Sequence, residues 1–108
     1  MERKMRLFPY QLNAEVEEVT EVPAGVDLIQ APKVWKQTKG KGTTIAILDT
    51  GCDLSHPDLK ERIIGGRNFT NDNKGNRDLF QDYNGHGTHV AGTIAATENK
   101  RGVVGVAP

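Results

Sequence analysis

Apolar and polar positions divide the chain into unlike stretches. Residues 43–48, Thr-Thr-Ile-Ala-Ile-Leu, are β-branched or apolar in succession, with no alternation between a wet and a dry side. Such a run predicts a strand covered on both faces, as in a parallel sheet. Asp49 then stands at the carboxyl end of that strand, the edge at which open α/β sheets place their sites. Residues 87–96 set Val90 and Ile94 among small side chains and predict a helix. Its Gly87 and Gly92 cost stability relative to alanine, but small residues let another segment approach closely. A shorter helix is predicted over 31–36, ending near Gly40, with Pro32 at its first position, where a missing N–H is no loss. Residues 68–85 are mostly Asn, Asp, Gly, Lys and Arg, interrupted by Leu79, Phe80 and Tyr83, and predict a long surface excursion. The stretch 102–108, Gly-Val-Val-Gly-Val-Ala-Pro, is apolar again, and no internal repeat is visible.

Residues 1–20 read as a separate extension: a basic start, the patch Leu7-Phe8-Pro9-Tyr10, then Glu15, Glu17 and Glu18 in close succession. The expected organisation is therefore an extension over 1–20 and one domain over 21–108. With 36% hydrophobic and 26% charged residues, a packed core is expected rather than wholesale disorder. Fourteen basic and fourteen acidic residues cancel, which gives no reason to expect a nucleic acid or an anionic membrane as partner. No apolar segment follows the basic start, so no secretion signal is expected, and no stretch approaches the roughly 20 apolar residues of a membrane span. A soluble, cytoplasmic protein is the expectation. Cys52 is the single cysteine, so no disulfide forms within the chain.

Asp49-Thr50-Gly51 after an apolar strand resembles the catalytic loop of aspartic proteases. That chemistry needs two carboxylates sharing a proton, which one short chain supplies only as a dimer. An aspartic site has no use for His86-Gly87-Thr88-His89-Val90-Ala91-Gly92, however, and this longer motif resembles the histidine motif of the subtilases. The resemblance continues through Asp49-Thr50-Gly51, His56-Pro57-Asp58-Leu59, Val22-Pro23, Ala31-Pro32 and Gly102 to Pro108, and so covers most of the chain. Leu7 to Tyr10 and the missing secretion signal are similar to the intracellular branch of that family.

The resemblance implies an α/β, three-layer fold with a parallel central sheet, of which these residues are the N-terminal portion. It implies an intracellular serine endopeptidase that hydrolyses protein or peptide substrates through an Asp-His-Ser triad, with Asp49 as the orienting carboxylate and His86 as the general base. A serine hydroxyl is a weak nucleophile at neutral pH, so an imidazole must take its proton during attack and return one to the leaving amine. Ser55 is the only serine, and it lacks the Gly-x-Ser surroundings of the family's nucleophile. It reads as a turn residue. The nucleophile and the oxyanion asparagine are expected beyond Pro108, and these residues alone are expected to be inactive. The alternatives are a catalytically dead fragment or pseudoenzyme acting by binding, or a dimeric aspartic protease using Asp49. Cys52 beside the site is either a thiolate nucleophile or a small packing residue, and the resemblance favours packing. His89 reads as a scaffold residue, because no third ligand accompanies His86 and His89 at metal-site spacing.

Asp58 is either a turn carboxylate or, as the resemblance implies, a ligand of a structural Ca²⁺. The implied set is Asp58, the side-chain oxygen of Asn99 and the carbonyls of Thr97, Arg101 and Val103, all oxygen donors as Ca²⁺ prefers. Two departures stand against it. Thr20 occupies the place where the family usually has a side-chain amide, and Lys100 and Arg101 bring positive charge. The resemblance further implies that residues 1–20 lie across the active-site cleft as an inhibitory propeptide, with Pro9 bending the backbone away from attack. Intracellular members are often dimers, so a homodimer is among the expected partners.

Overall fold

The computed structural model describes residues 21–108, and the expectations for residues 1–20, including the inhibitory role of Pro9, lie outside them. Helix α1 spans Ala24–Leu28, α2 spans Ala31–Val34 and α3 spans His86–Ala95. The first two pack together but do not merge, because Gln30 between them has φ 63, a left-handed turn that a right-handed helix cannot continue. Pro32 falls in the first turn of α2, where its missing N–H leaves no bond unmade. The helix predicted over 31–36 is thus a single turn, and α3 begins one residue before its predicted start.

The buried apolar residues are mostly small: Val26, Ala31, Leu59, Ala91, Ala96 and Val104 are each less than a tenth exposed. They sit where segments press together. The apolar stretch at the end of the chain runs against the end of α3, and the N–H groups of Gly105, Val106 and Ala107 donate to the carbonyls of Ala96, Thr93 and Ile94 at 3.0, 2.9 and 2.8 Å. Carbonyls that a helix end would otherwise leave unpaired are satisfied in this way. Trp35 Nε1 donates to the carbonyl of Val106 at 2.8 Å, and Arg62 Nη2 donates to that of Ala107 at 2.6 Å.

The excursion over 68–85 is folded on itself. Buried Asn68 donates from Nδ2 to the carbonyls of Asp72 and Asn76 and accepts at Oδ1 from the N–H and hydroxyl of Thr70. Within it, Asn73 and Lys74 take left-handed angles in the turn Asp72–Gly75.

No strand is present among the described residues, which hold only two isolated parallel bridges, Glu21 with Val103 and Cys52 with Gln81. Residues 44–48 make no backbone hydrogen bond to another described segment, and Ile45, Ile47 and Leu48 are 54%, 40% and 93% exposed. An apolar run becomes a strand only beside a neighbour that pairs with its N–H and C=O groups. The predicted central sheet is therefore not seen in these residues.

Candidate active site

The site is built around the start of α3. Gly85 precedes the helix with φ 101, and it has no side chain with which to cap it. The first N–H groups are instead met by side chains from three directions. His86 N–H donates to Asn84 Oδ1 at 3.2 Å, Gly87 N–H to Thr50 Oγ1 at 2.9 Å, and Thr88 N–H to Asp82 Oδ2 at 2.9 Å. Every one of these donors would be an orphan in an isolated helix. Together they fix the helix start, and with it His86, against the turn that follows Asp49.

Close approach of the two backbones is the second requirement. Gly51 has φ 115, and a Cβ there would lie 2.6 Å from the carbonyl oxygen of Phe80. A Cβ on Gly87 would collide with the carbonyl oxygen of Gly51.

His86 Nδ1 lies 2.9 Å from Asp49 Oδ1 and 3.0 Å from Oδ2. The side chain of Asp49 is 13% exposed, whereas the imidazole of His86 is 36% exposed. Thr50 N–H donates to Asp49 Oδ1 at 2.7 Å. Burial alone pushes the Asp49 carboxyl up, but the Thr50 N–H, the hydrogen bond to His86 and the imidazole's charge outweigh it and hold the carboxyl below its ordinary range. An ionised carboxylate facing Nδ1 fixes the ring's orientation and favours a proton on that nitrogen, leaving Nε2 as the base. The arrangement can therefore accept a proton from a nearby hydroxyl and stabilise the resulting imidazolium. The partner of Asp49 is an imidazole and not a second carboxyl.

Asp82, which sequence reasoning left inside the surface excursion, is the hub of the site. Its Oδ1 accepts from Thr50 Oγ1 at 2.9 Å and from the N–H groups of Asn84 and Gly85 at 3.0 and 2.8 Å. Its Oδ2 accepts from Thr88 Oγ1 at 2.6 Å as well as from Thr88 N–H. Burial raises the Asp82 carboxyl, but these bonds prevail and hold it far below the ordinary carboxylate range. The legible signal was an acidic residue followed by Asn84-Gly85 immediately before a helix, the composition of a turn whose side chains cap the next element.

Ser55 belongs to a turn. Its N–H and hydroxyl both donate to Asp53 Oδ1, at 3.0 and 2.7 Å, away from the Asp49–His86 contact. Cys52 is partly buried, and burial followed by the charges of Asp53 and Asp82 pushes its thiol above the usual range. A thiol held protonated is a poor nucleophile. His89 is joined to α3 through its backbone, with its N–H donating to Gly85 and its carbonyl accepting from the Thr93 hydroxyl.

The predicted cation ligands are only partly gathered. Asp58 is 7% exposed, with no lysine, arginine or histidine within ion-pair reach among the described residues. Asn99 Nδ2 donates to Asp58 Oδ1 and, at 3.2 Å, to Thr97 Oγ1, while Thr97 N–H donates to the Asp58 carbonyl at 3.1 Å. Arg101 joins through its backbone N–H, which donates to Asn99 Oδ1 at 3.0 Å. Val103 stands opposite Glu21, between the bonds from Glu21 N–H to Gly102 and from Val104 N–H to Glu21, neither of which uses its own carbonyl. No group of three His, Cys, Asp or Glu residues able to hold a metal ion occurs among the described residues. A cation here would rest on one buried, uncompensated carboxylate with amide and carbonyl oxygens, a donor set that fits Ca²⁺ once the Asn99 amide turns its oxygen inward.

Known proteins resemble the chain along its whole length. The chain is 66% identical to the intracellular serine protease of Paenibacillus polymyxa over its whole length, and covers 33% of that protein. It is 56% identical to the major intracellular serine protease of Bacillus subtilis, of which it covers 34%. To thermitase of Thermoactinomyces vulgaris it is 46% identical over 78% of this chain and 29% of the relative. The chain thus spans about a third of the length of the relatives it matches. The profile of the subtilase family matches residues 40–108, which include Asp49, Asp82 and His86, and the chain belongs to that family.

Proposed function

We propose that these residues supply the aspartate and histidine of an intracellular, subtilisin-type serine endopeptidase acting on proteins or peptides in the cytoplasm. The observation that carries this reading is the contact of His86 Nδ1 with both oxygens of Asp49 at 2.9 and 3.0 Å. Asp49 keeps the proton on Nδ1, so Nε2 takes the proton of a serine hydroxyl as it attacks the peptide carbonyl. Nε2 then returns that proton to the leaving amine, and the Asp49 carboxylate stabilises the imidazolium between the two steps. Subtilisins are among the enzymes on which this logic was established. Serine and oxyanion donors come from outside these residues, since Ser55 is occupied in its own turn. The names of the Paenibacillus and Bacillus relatives support the cytoplasmic setting, and no helix among the described residues is long and apolar enough to cross a membrane.

The test is hydrolysis of a peptide amide by the whole gene product, with and without a serine-directed sulfonyl fluoride. Inactivation by the reagent, and loss of turnover in Asp49→Asn on the order of the 10⁴-fold known from serine proteases, are expected. Turnover that resists the reagent but yields to a pepstatin-type inhibitor at acid pH would instead assign Asp49 to an aspartic protease.

A structural Ca²⁺ is part of the same reading. Asp58, Asn99 and the carbonyls of Thr97, Arg101 and Val103 would hold it, and the ion would supply the positive charge that the Asp58 carboxylate lacks. It takes no part in the proton transfers.

A further inference from the structure

We propose that Asp82 is a positioning residue for the Asp49–His86 pair, holding the loop that carries the aspartate and the helix that carries the histidine in one register. The inference rests on the proposed reading of that pair as the acid–base machinery. Its ground is the direction of the hydrogen bonds. A threonine hydroxyl has one proton to give. Both Thr50 and Thr88 give theirs to the Asp82 carboxylate, at 2.9 and 2.6 Å. Each hydroxyl is thereby left to accept, and each accepts from the opposite segment. Thr50 Oγ1 takes the N–H of Gly87, next to His86, and Thr88 Oγ1 takes the N–H of Asp53 in the loop after Asp49, both at 2.9 Å.

One acceptor-only group thus sets the polarity of two crossed links between the segments. The same carboxylate fixes the turn before the helix through Asn84 and Gly85 N–H. Thr50 also donates its own N–H to Asp49, so the chain of contacts from Asp82 to the aspartate is unbroken. An asparagine at position 82 would keep an oxygen for the Thr50 side but present an N–H₂ to Thr88, where two donors already point. The link through Thr88 would fail while the turn survived.

The experiment uses the whole gene product and two readouts on Asp82→Asn. The first is the low-field proton resonance of His86 Nδ1, which depends on the bond to Asp49 and not on turnover. The second is the division of any kinetic loss between kcat and KM. We expect the resonance to broaden or vanish, kcat to fall on the order of 10²-fold, as for a displacement of about 1 Å, and KM to change less than about twofold. Partial recovery of both signals in Asp82→Glu, which restores two acceptor oxygens, would add support. A folded Asp82→Asn protein with a sharp parental resonance would overturn the proposal. Should Asp82→Asn not fold, Thr50→Val decides: loss of the resonance supports the link, and its retention overturns it. If the parent hydrolyses nothing, the proposed function fails, while the resonance still judges Asp82 alone.

Discussion

The α-carbon of Gly87 rests against the carbonyl oxygen of Gly51, so that the helix bearing His86 and the turn after Asp49 touch backbone to backbone. Gly92, five residues along the same helix, has open space where its Cβ would be. The two glycines should therefore answer the same substitution with opposite signs. Gly87→Ala forces the segments apart and is expected to cost about 1–3 kcal/mol, as overpacking does. Gly92→Ala removes only backbone freedom and is expected to gain about 0.5–1 kcal/mol. Urea midpoints of the two variants check both.

Acid should loosen the site from a definite pH. Asp49, Asp53 and Asp82 all have carboxyls held below the ordinary 3.8. A depressed carboxyl stabilises the fold fully above its unfolded value and loses that contribution as pH falls towards its folded value. Stability should thus decline progressively below about pH 4. Asp82→Asn lacks one of these contributions, so its deficit against the parent should shrink as pH falls. Urea unfolding of both proteins at pH 7 and pH 3 tests this, and a constant deficit would contradict it.

Cys52 should resist alkylation. Its thiol is raised by burial and by the neighbouring carboxylates of Asp53 and Asp82, so little thiolate exists at neutral pH. Iodoacetamide at pH 7.5, a value near that of the cytosol, should label Cys52 more slowly than it labels free cysteine, with the gap closing only in denaturant. Labelling faster than the free amino acid would revive the thiolate nucleophile.

Calcium, bound as proposed, should stabilise the protein through the Asp58 carboxylate. At a hundredfold excess over its dissociation constant a ligand of the native state adds about 2.7 kcal/mol, and Mg²⁺ should not replace it because it releases its waters reluctantly. Asp58→Asn should abolish the Ca²⁺-dependent rise in Tm. In chelator the same variant should be no less stable than the parent, since it removes a buried charge with no cation beside it. Equal Ca²⁺ responses in the two proteins would rule Asp58 out as a ligand.

How far these features were legible depended on the distance over which each is determined. Helix α3 was readable because Val90, Ile94 and the small residues among them lie on one short segment. Asp49 and His86 stand in local motifs, and the family match accords with the resemblance those motifs carry. Helix α1 leaves no mark in the sequence because it is five residues long with one buried side chain, Val26, too short to show a period. Asp82 was hidden by its company: among Asn, Asp and Gly of a surface excursion one more carboxylate carries no mark, and only the folded path brings Thr50 to it. The run 43–48 has the side chains of a strand, but strand formation belongs to a pair of segments, and the described residues supply no partner.

Trp35, the one tryptophan of the sequence, donates its indole N–H to the carbonyl of Val106, 71 positions away. The chain thereby carries an optical reporter of its own closure. An indole that exchanges a backbone carbonyl for water shifts and dims its emission, so fluorescence from these residues follows the docking of the 105–107 segment onto α3. A change that frees that segment is expected to show in this emission even where no enzymatic readout reaches it.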